Sequence, residues 1–209
     1  MPGFIHDFPQ AGFSVLSVDS RGHGESGGDR VTYGALERDD MRRWFQYLHQ
    51  RSECRNGLFG LGLSMGAAIL LQTLPELPYV KAAAAESPFA SFREIGHDRI
   101  GQVLPLLSWL RLPMVQVGFT YAHAIRGIDF DAVSPREAAP RIQSPVLLIH
   151  GTEDHNISIR HSELLLPKFR NARLYKVEGA QHVGCYGRDP TRYIQEVVSW
   201  FNTPHKRAN

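Results

Sequence analysis

Short apolar runs bounded by turn residues alternate along this chain with longer stretches whose apolar positions recur at helical spacing. "GFSVLSVD" (12–19) has the length and branched side chains of a strand, and the glycine-rich "SRGHGESGG" after it reads as a loop. From Tyr33 to Arg51 the apolar residues Leu36, Met41, Trp44, Phe45 and Leu48 follow a helical period. "GLFGLGL" (57–63) predicts a second, buried strand, and "SMGAAILLQTL" a helix stopped by Pro75. "YVKAAAAES" (79–87) is alanine-rich, yet its place in the alternation predicts a third strand. "SPVLLIHG" (144–151) predicts a fourth strand, followed by a helix around 159–169. "ARLYKVEG" (172–179) predicts a fifth, and a helix from Pro190 to Phe201 closes the pattern.

Strands alternating with helices imply an α/β fold: a mostly parallel sheet covered by helices on both faces. The third and fourth strands are separated by a stretch, 87–143, far longer than a crossover needs. The chain therefore reads as one domain, 1–209, with an insertion at about 88–143. Within it Leu104, Leu106, Leu107, Trp109, Leu110, Leu112, Met114 and Val115 are too apolar for a free surface loop. The expectation is a helical lid bordering the acyl side of a pocket; packing into the main core is the alternative.

Composition narrows the function classes. Hydrophobic residues make up 43% and charged residues 21%, as in ordinary globular proteins, and a net charge of +2 offers no case for nucleic acid. The longest apolar region, Val103 to Phe119, is broken by Pro105, Arg111 and Pro113, so no stable membrane insertion is expected. The two cysteines, Cys54 and Cys185, show no disulfide framework or zinc spacing and read as free thiols. No signal peptide pattern is visible, which makes a cytoplasmic location the expectation.

Candidate chemistry centres on Gly62-Leu63-Ser64-Met65-Gly66. A G-x-S-x-G pentapeptide arises by chance in about one chain in ten of this length, so alone it decides little. Here it stands between a predicted strand and a predicted helix, the context that makes it a nucleophile elbow rather than an N-cap serine in a glycine-rich turn. Gly62 and Gly66 relieve side-chain clashes in such a turn, and the Met65 N–H points where an oxyanion would form. An activated serine needs a base and a group to orient that base. "HGTED" places Asp154 just after the fourth strand, and "GAQHVG" places His182 after the fifth. Loops at the carboxyl ends of parallel strands share one edge of the sheet, so the three side chains can converge. Glu153 and Glu86 are alternative acids. Among the other histidines, His23 reads as a loop-stabilising residue beside Arg21, His150 as locally packed or hydrogen-bonded, and His155 and His161 as solvated. No metal-ligand spacing appears, and neither metal nor cofactor is expected.

These motifs resemble the α/β-hydrolase superfamily, specifically its small bacterial serine esterases and related acyl hydrolases. "GFSVLSVDSRGHGESGG" resembles the family's strand and D-x-R-G-x-G-x-S loop, "LIHGTEDHNIS" its H-G-x-x-D acid motif, and "VEGAQHVG" its histidine loop. The likeness runs from about Ala11 to Phe201. It implies Ser64 as nucleophile, His182 as general base then acid, and Asp154 as the orienting carboxylate, acting on a small-molecule carboxylic ester. Thioesterase or peptidase chemistry, or a catalytically weak binding scaffold, are the alternatives.

The resemblance also implies a departure. The family carries three strands before the one read at 12–19, and a His-Gly loop after the third completes the oxyanion hole. Only "MPGFIHDFPQ" precedes Ala11, with Gly3 or Phe4 as substitute N–H donors. By that standard the fold is N-terminally truncated, and a strand is missing beside 57–63. Either the strand at 13–19 moves into its place, or another chain contributes, the expectation being a homodimer that completes the sheet.

Overall fold

The computed structural model describes residues 3–104, 106 and 108–205. The chain opens with a 3-10 turn at Gly3–His6 and helix α1 (Asp7–Gln10), followed by α2 (Glu37–His49). Strand β1 (Leu58–Leu63) leads into α3 (Met65–Thr73), and β2 (Val80–Glu86) into the inserted helices α4 (Phe92–Val103) and α5 (Arg111–Arg126). Helix α6 (Pro135–Ala138) returns the chain to β3 (Val146–Gly151), then α7 (Arg160–Leu165), β4 (Ala172–Val177), α8 (Cys185–Arg188) and α9 (Pro190–Asn202). The four strands are parallel, in the order β1-β2-β3-β4.

The alternation of small and large side chains explains how alanines come to form a strand. On one face of the sheet, Ala83 and Ala85 of β2 with Val146 and Leu148 of β3 join Leu70, Leu71 and Leu74 beside α3. On the other, Ala82 and Ala84 with Leu147 and Ile149 meet Phe4, Phe8, Tyr193, Val197 and Phe201. The period of two assigns successive alanines to opposite faces. Their small size lets helices approach the sheet from both sides, and tertiary packing overrides alanine's preference for helix.

One expected element does not form. Residues 13–20 carry no regular secondary structure and pair with no strand, so among the described residues the sheet has four strands where five were expected. Phe13 is anchored by ring contacts with Phe59 and Phe201. Beyond it the segment diverges from β1 around a cavity of about 1190 Å³. Val15, Leu16 and Val18 line one side of that cavity, β1 another, and Met41, Trp44, Phe45 and Leu48 of α2 a third. The segment therefore does not pair with β1, although both line the same cavity. The apolar face of α2 turns largely onto this cavity. Of its residues Trp44 stays substantially exposed, while Phe45 packs beside Leu70 and is buried.

The glycine-rich loop at 20–28 folds on itself. The Asp19 carboxylate accepts the Glu25 N–H at 3.1 Å, and Ser26 Oγ donates to the Asp19 carbonyl at 2.7 Å. Arg21 ties the loop to α2 through two bonds to Asp40, at 2.6 and 2.8 Å. His23 lies 3.1 Å from the Arg21 carbonyl, the local role read for it.

Candidate active site

Ser64 occupies the single residue between β1 and α3. Its backbone has φ 50° and ψ −117°, a costly conformation for a residue with a side chain. Two bonds hold it there: the Ser64 N–H donates to the Glu86 carbonyl at 2.8 Å, and the Ser64 carbonyl accepts the Ala68 N–H at 3.1 Å. Gly62 makes the turn possible, because a Cβ there would lie 2.6 Å from the Gly66 carbonyl oxygen and 2.7 Å from Ala67. Gly66 differs from the expectation: a Cβ there would meet nothing within 4 Å. The cavity beside β1 reaches this turn, which leaves the space open.

The strand-end loops bring the expected partners to the serine. His182 Nε2 lies 2.8 Å from Ser64 Oγ, and His182 Nδ1 lies 2.8 Å from Asp154 Oδ2. A carboxylate only accepts, so Nδ1 carries the proton and Nε2 is left basic toward the serine hydroxyl. Asp154 is buried, and its Oδ1 accepts the N–H groups of Asn156 and Ile157 at 3.0 and 2.8 Å. Burial alone would raise its pKa. Hydrogen bonds from His150, His182, the Ile157 N–H and Ser87 outweigh that and hold the carboxyl far below the usual carboxylate range. Met65 is the first residue of α3, so its N–H has no acceptor within the helix and is available at the elbow.

Among the described residues four non-glycine residues have positive φ, and three of them, Ser64, Ser87 and Val183, sit in these loops. A β-branched residue such as Val183 rarely adopts this region, so strain is concentrated where the loops meet. Gly3 and Phe4 lie in the first 3-10 turn, near Tyr186 and Tyr193.

The alternative acids are placed elsewhere. Glu153 is exposed. Glu86 is fully buried and accepts the Cys185 N–H at 3.0 Å and the Tyr193 hydroxyl at 2.9 Å. It braces the segment that follows His182. Burial and the adjacent Glu86 push the Cys185 thiol far above its ordinary pKa, so it stays protonated. Cys54 and Cys185 are both free thiols.

One histidine, His161, differs from the sequence reading, and His150 does more than that reading gave it. His161 is buried rather than solvated: its Nδ1 accepts the Ala90 N–H at 3.1 Å while Nε2 faces Asp98 at 3.1 Å. Burial lowers its pKa and favours the neutral ring. His150 does bond locally, but it also reaches the site. Its Nε2 lies 2.7 Å from the Ile157 carbonyl and 3.3 Å from Asp154 Oδ2, two acceptors that require a proton there. Ser162 Oγ lies 2.7 Å from Nδ1. His150 thus approaches the same Asp154 oxygen that His182 Nδ1 bonds. The signal was present in the four-residue spacing of His150 and Asp154 around the end of β3.

Comparison with known proteins agrees with this architecture. The Hydrolase_4 family, described as serine aminopeptidase, S33, matches residues 2–135. The uncharacterized protein YqkD of Bacillus subtilis (strain 168) is 32% identical over 203 residues, covering 95% of this chain and 65% of that protein. The chain thus spans about two thirds of that relative's length. The uncharacterized peptidase YtmA of the same strain is 27% identical, over 95% of this chain and 76% of that one. Among solved structures, an esterase of Pyrococcus furiosus aligns with a TM-score of 0.64 at 22% identity, covering 87% of this chain and 67% of that one. A monoacylglycerol lipase of Paleococcus ferrophilus aligns with a TM-score of 0.64 at 21% identity, covering 95% and 86%. At such identities the likeness shows the fold. A family match across more than half the chain, on a parallel sheet with flanking helices, places this protein in the Hydrolase_4 (serine aminopeptidase, S33) family of the α/β-hydrolases.

Proposed function

We propose that the protein is a serine hydrolase that cleaves carboxylic esters through an acyl-enzyme. The observation carrying this reading is the continuous relay from Ser64 through His182 to Asp154, with both links at 2.8 Å. In that reading Ser64 Oγ attacks the ester carbonyl while His182 Nε2 takes its proton. The imidazolium that forms is stabilised by Asp154, whose hydrogen bonds keep it ionised. The Met65 N–H bonds the developing oxyanion. His182 then protonates the leaving alcohol, and water repeats the sequence on the acyl-enzyme.

Loss of one oxyanion donor costs about 3 kcal/mol in the transition state. A site in which Met65 were the main donor would favour activated esters over amides, whose poorer leaving groups demand more stabilisation. The family description and the name of YtmA favour peptide cleavage as a second reading. Turnover of p-nitrophenyl esters of graded chain length against the matching anilides separates the two. Ester turnover that exceeds anilide turnover at every chain length supports the proposal. Preferred anilide cleavage supports the peptidase, and no turnover of either supports a binding scaffold.

A further inference from the structure

Glu86 ends β2, the strand that lies between β1 and β3, in register with Leu63 on one side and Ile149 on the other. Its carbonyl accepts the Ser64 N–H at 2.8 Å. Its side chain is wholly buried: Oε1 accepts the Cys185 N–H at 3.0 Å, and Oε2 accepts the Tyr193 hydroxyl at 2.9 Å. One residue thus bonds the nucleophile's own backbone and, through its carboxyl group, the backbone just past His182.

The turn bearing His182 is tethered on two sides. Toward the acid, the Glu153 N–H donates to the Ala180 carbonyl at 3.0 Å, and the Gly179 N–H to Thr152 Oγ at 2.9 Å. Neither bond reaches the serine. Toward the serine, the Cys185 N–H meets Glu86, while the Val183 N–H reaches Ser87 Oγ at only 3.5 Å. The turn itself is closed by the Gly184 N–H on the Gln181 carbonyl at 3.0 Å, so a displacement of Cys185 carries His182 with it. Val183, at φ 54°, strains that turn, and a strained turn keeps its shape only while its surroundings hold it. The carboxyl group is itself locked. Tyr193, buried in α9 and stacked on Phe4, fixes Oε2. A buried acid satisfied by neutral donors adds little stability, but it fixes geometry.

We infer that Glu86 is a positioning residue of the relay: its main chain and its carboxyl group together set the separation of Ser64 and His182. The inference rests on the hydrolase reading of those two residues.

Turnover of a soluble p-nitrophenyl ester is the first test. Glu86→Ala should lower kcat by about 10- to 100-fold with KM unchanged, because the base drifts from the serine while nothing that touches substrate is altered. Glu86→Gln offers the same acceptor to Cys185 and a donor to the Tyr193 oxygen, and should restore kcat to within about threefold of the native chain. Where Glu86→Ala fails to fold, Tyr193→Phe stands in: it frees Oε2 in a still-filled core and should lower kcat by about threefold or more.

A second test needs no ester turnover. In Ser64→Cys, His182 should draw the proton from the new thiol, and peptide mass spectrometry should find rapid iodoacetamide alkylation at position 64 at about pH 6. Adding Glu86→Ala should slow that alkylation by about tenfold, whereas adding Glu86→Gln should leave it fast. Alkylation that His182→Ala does not slow would overturn both the relay and this inference. Alkylation that depends on His182 but not on Glu86 would overturn this inference alone. So would a folded Glu86→Ala with native kcat, a loss carried by KM, a Glu86→Gln no better than Glu86→Ala, or a stand-in Tyr193→Phe with native kcat.

Discussion

On its inner side β1 is paired with β2 from Leu58 to Leu63, and the turn that follows holds Ser64 in contact with His182. On its outer side the same strand borders a cavity, and the segment at 13–20 lines that cavity without joining the sheet. The inner side is built from strand ends and short loops, each fixed by its own hydrogen bonds. The outer side depends on a ladder that needs a partner strand. The relay is thus complete while the neighbouring edge is open, because the two are held by separate interactions. The elbow itself lies on the boundary: Gly62 is confined by Ala67, whereas Gly66 faces open space.

The largest effects are expected on the inner side. Ser64→Ala and His182→Ala should each lower kcat by on the order of 10⁴ or more, and the double variant should be scarcely worse, since the residues act as a unit. Additive losses in steady-state kinetics would contradict a relay. Stability measured by urea unfolding should show the same asymmetry between regions. Leu148→Ala, fully buried between β2 and β4, should cost roughly 2–5 kcal/mol. Trp44→Ala, half exposed at the cavity, should cost well under the ~3 kcal/mol expected of a buried tryptophan. Equal costs would mean that the outer side is closed.

The two elbow glycines sharpen the contrast. Gly62→Ala should destabilise by about 1–3 kcal/mol, because its Cβ collides with the backbone of Gly66 and Ala67. Gly66→Ala should leave stability unchanged or raise it slightly, as a better helix former placed in open space. A large loss from Gly66→Ala in thermal melts would show that something occupies that space.

Acid should act on the inner side. The pKa of Asp154 is depressed in the fold, so its contribution to stability is fully present above the unfolded carboxyl pKa of about 4. That contribution is lost as pH falls further toward the folded value. Asp154→Asn should therefore flatten the decline in stability below about pH 4. The outer side makes its own prediction. We propose that the open edge is completed by a second copy, and light scattering at micromolar concentration should then give a dimer. A stable monomer contradicts it.

Much of the inner region was readable because its signals are local. Ser64 follows one strand, Asp154 another and His182 a third, and parallel strands necessarily bring those ends together. The position of the alanine-rich run between helices predicts strand β2, and the packing of both its faces supplies the reason. The rest depended on distant contacts. Nothing in "GFSVLSVD" tells whether a neighbour lies within pairing distance. His161 looks like any histidine near a polar loop, yet Ala90 and Asp98 bury it. His150 reaches Asp154 only because the chain reverses after Gly151, where Asp154 N–H bonds the Gly151 carbonyl at 3.3 Å.

The central claim is that Ser64 is chemically activated by its partners, and labelling with a fluorophosphonate probe tests it most directly. The predicted result is a single covalent adduct that peptide mass spectrometry maps to Ser64, absent from Ser64→Ala and strongly slowed in His182→Ala. An unlabelled protein, or an adduct on any other serine, would contradict the account.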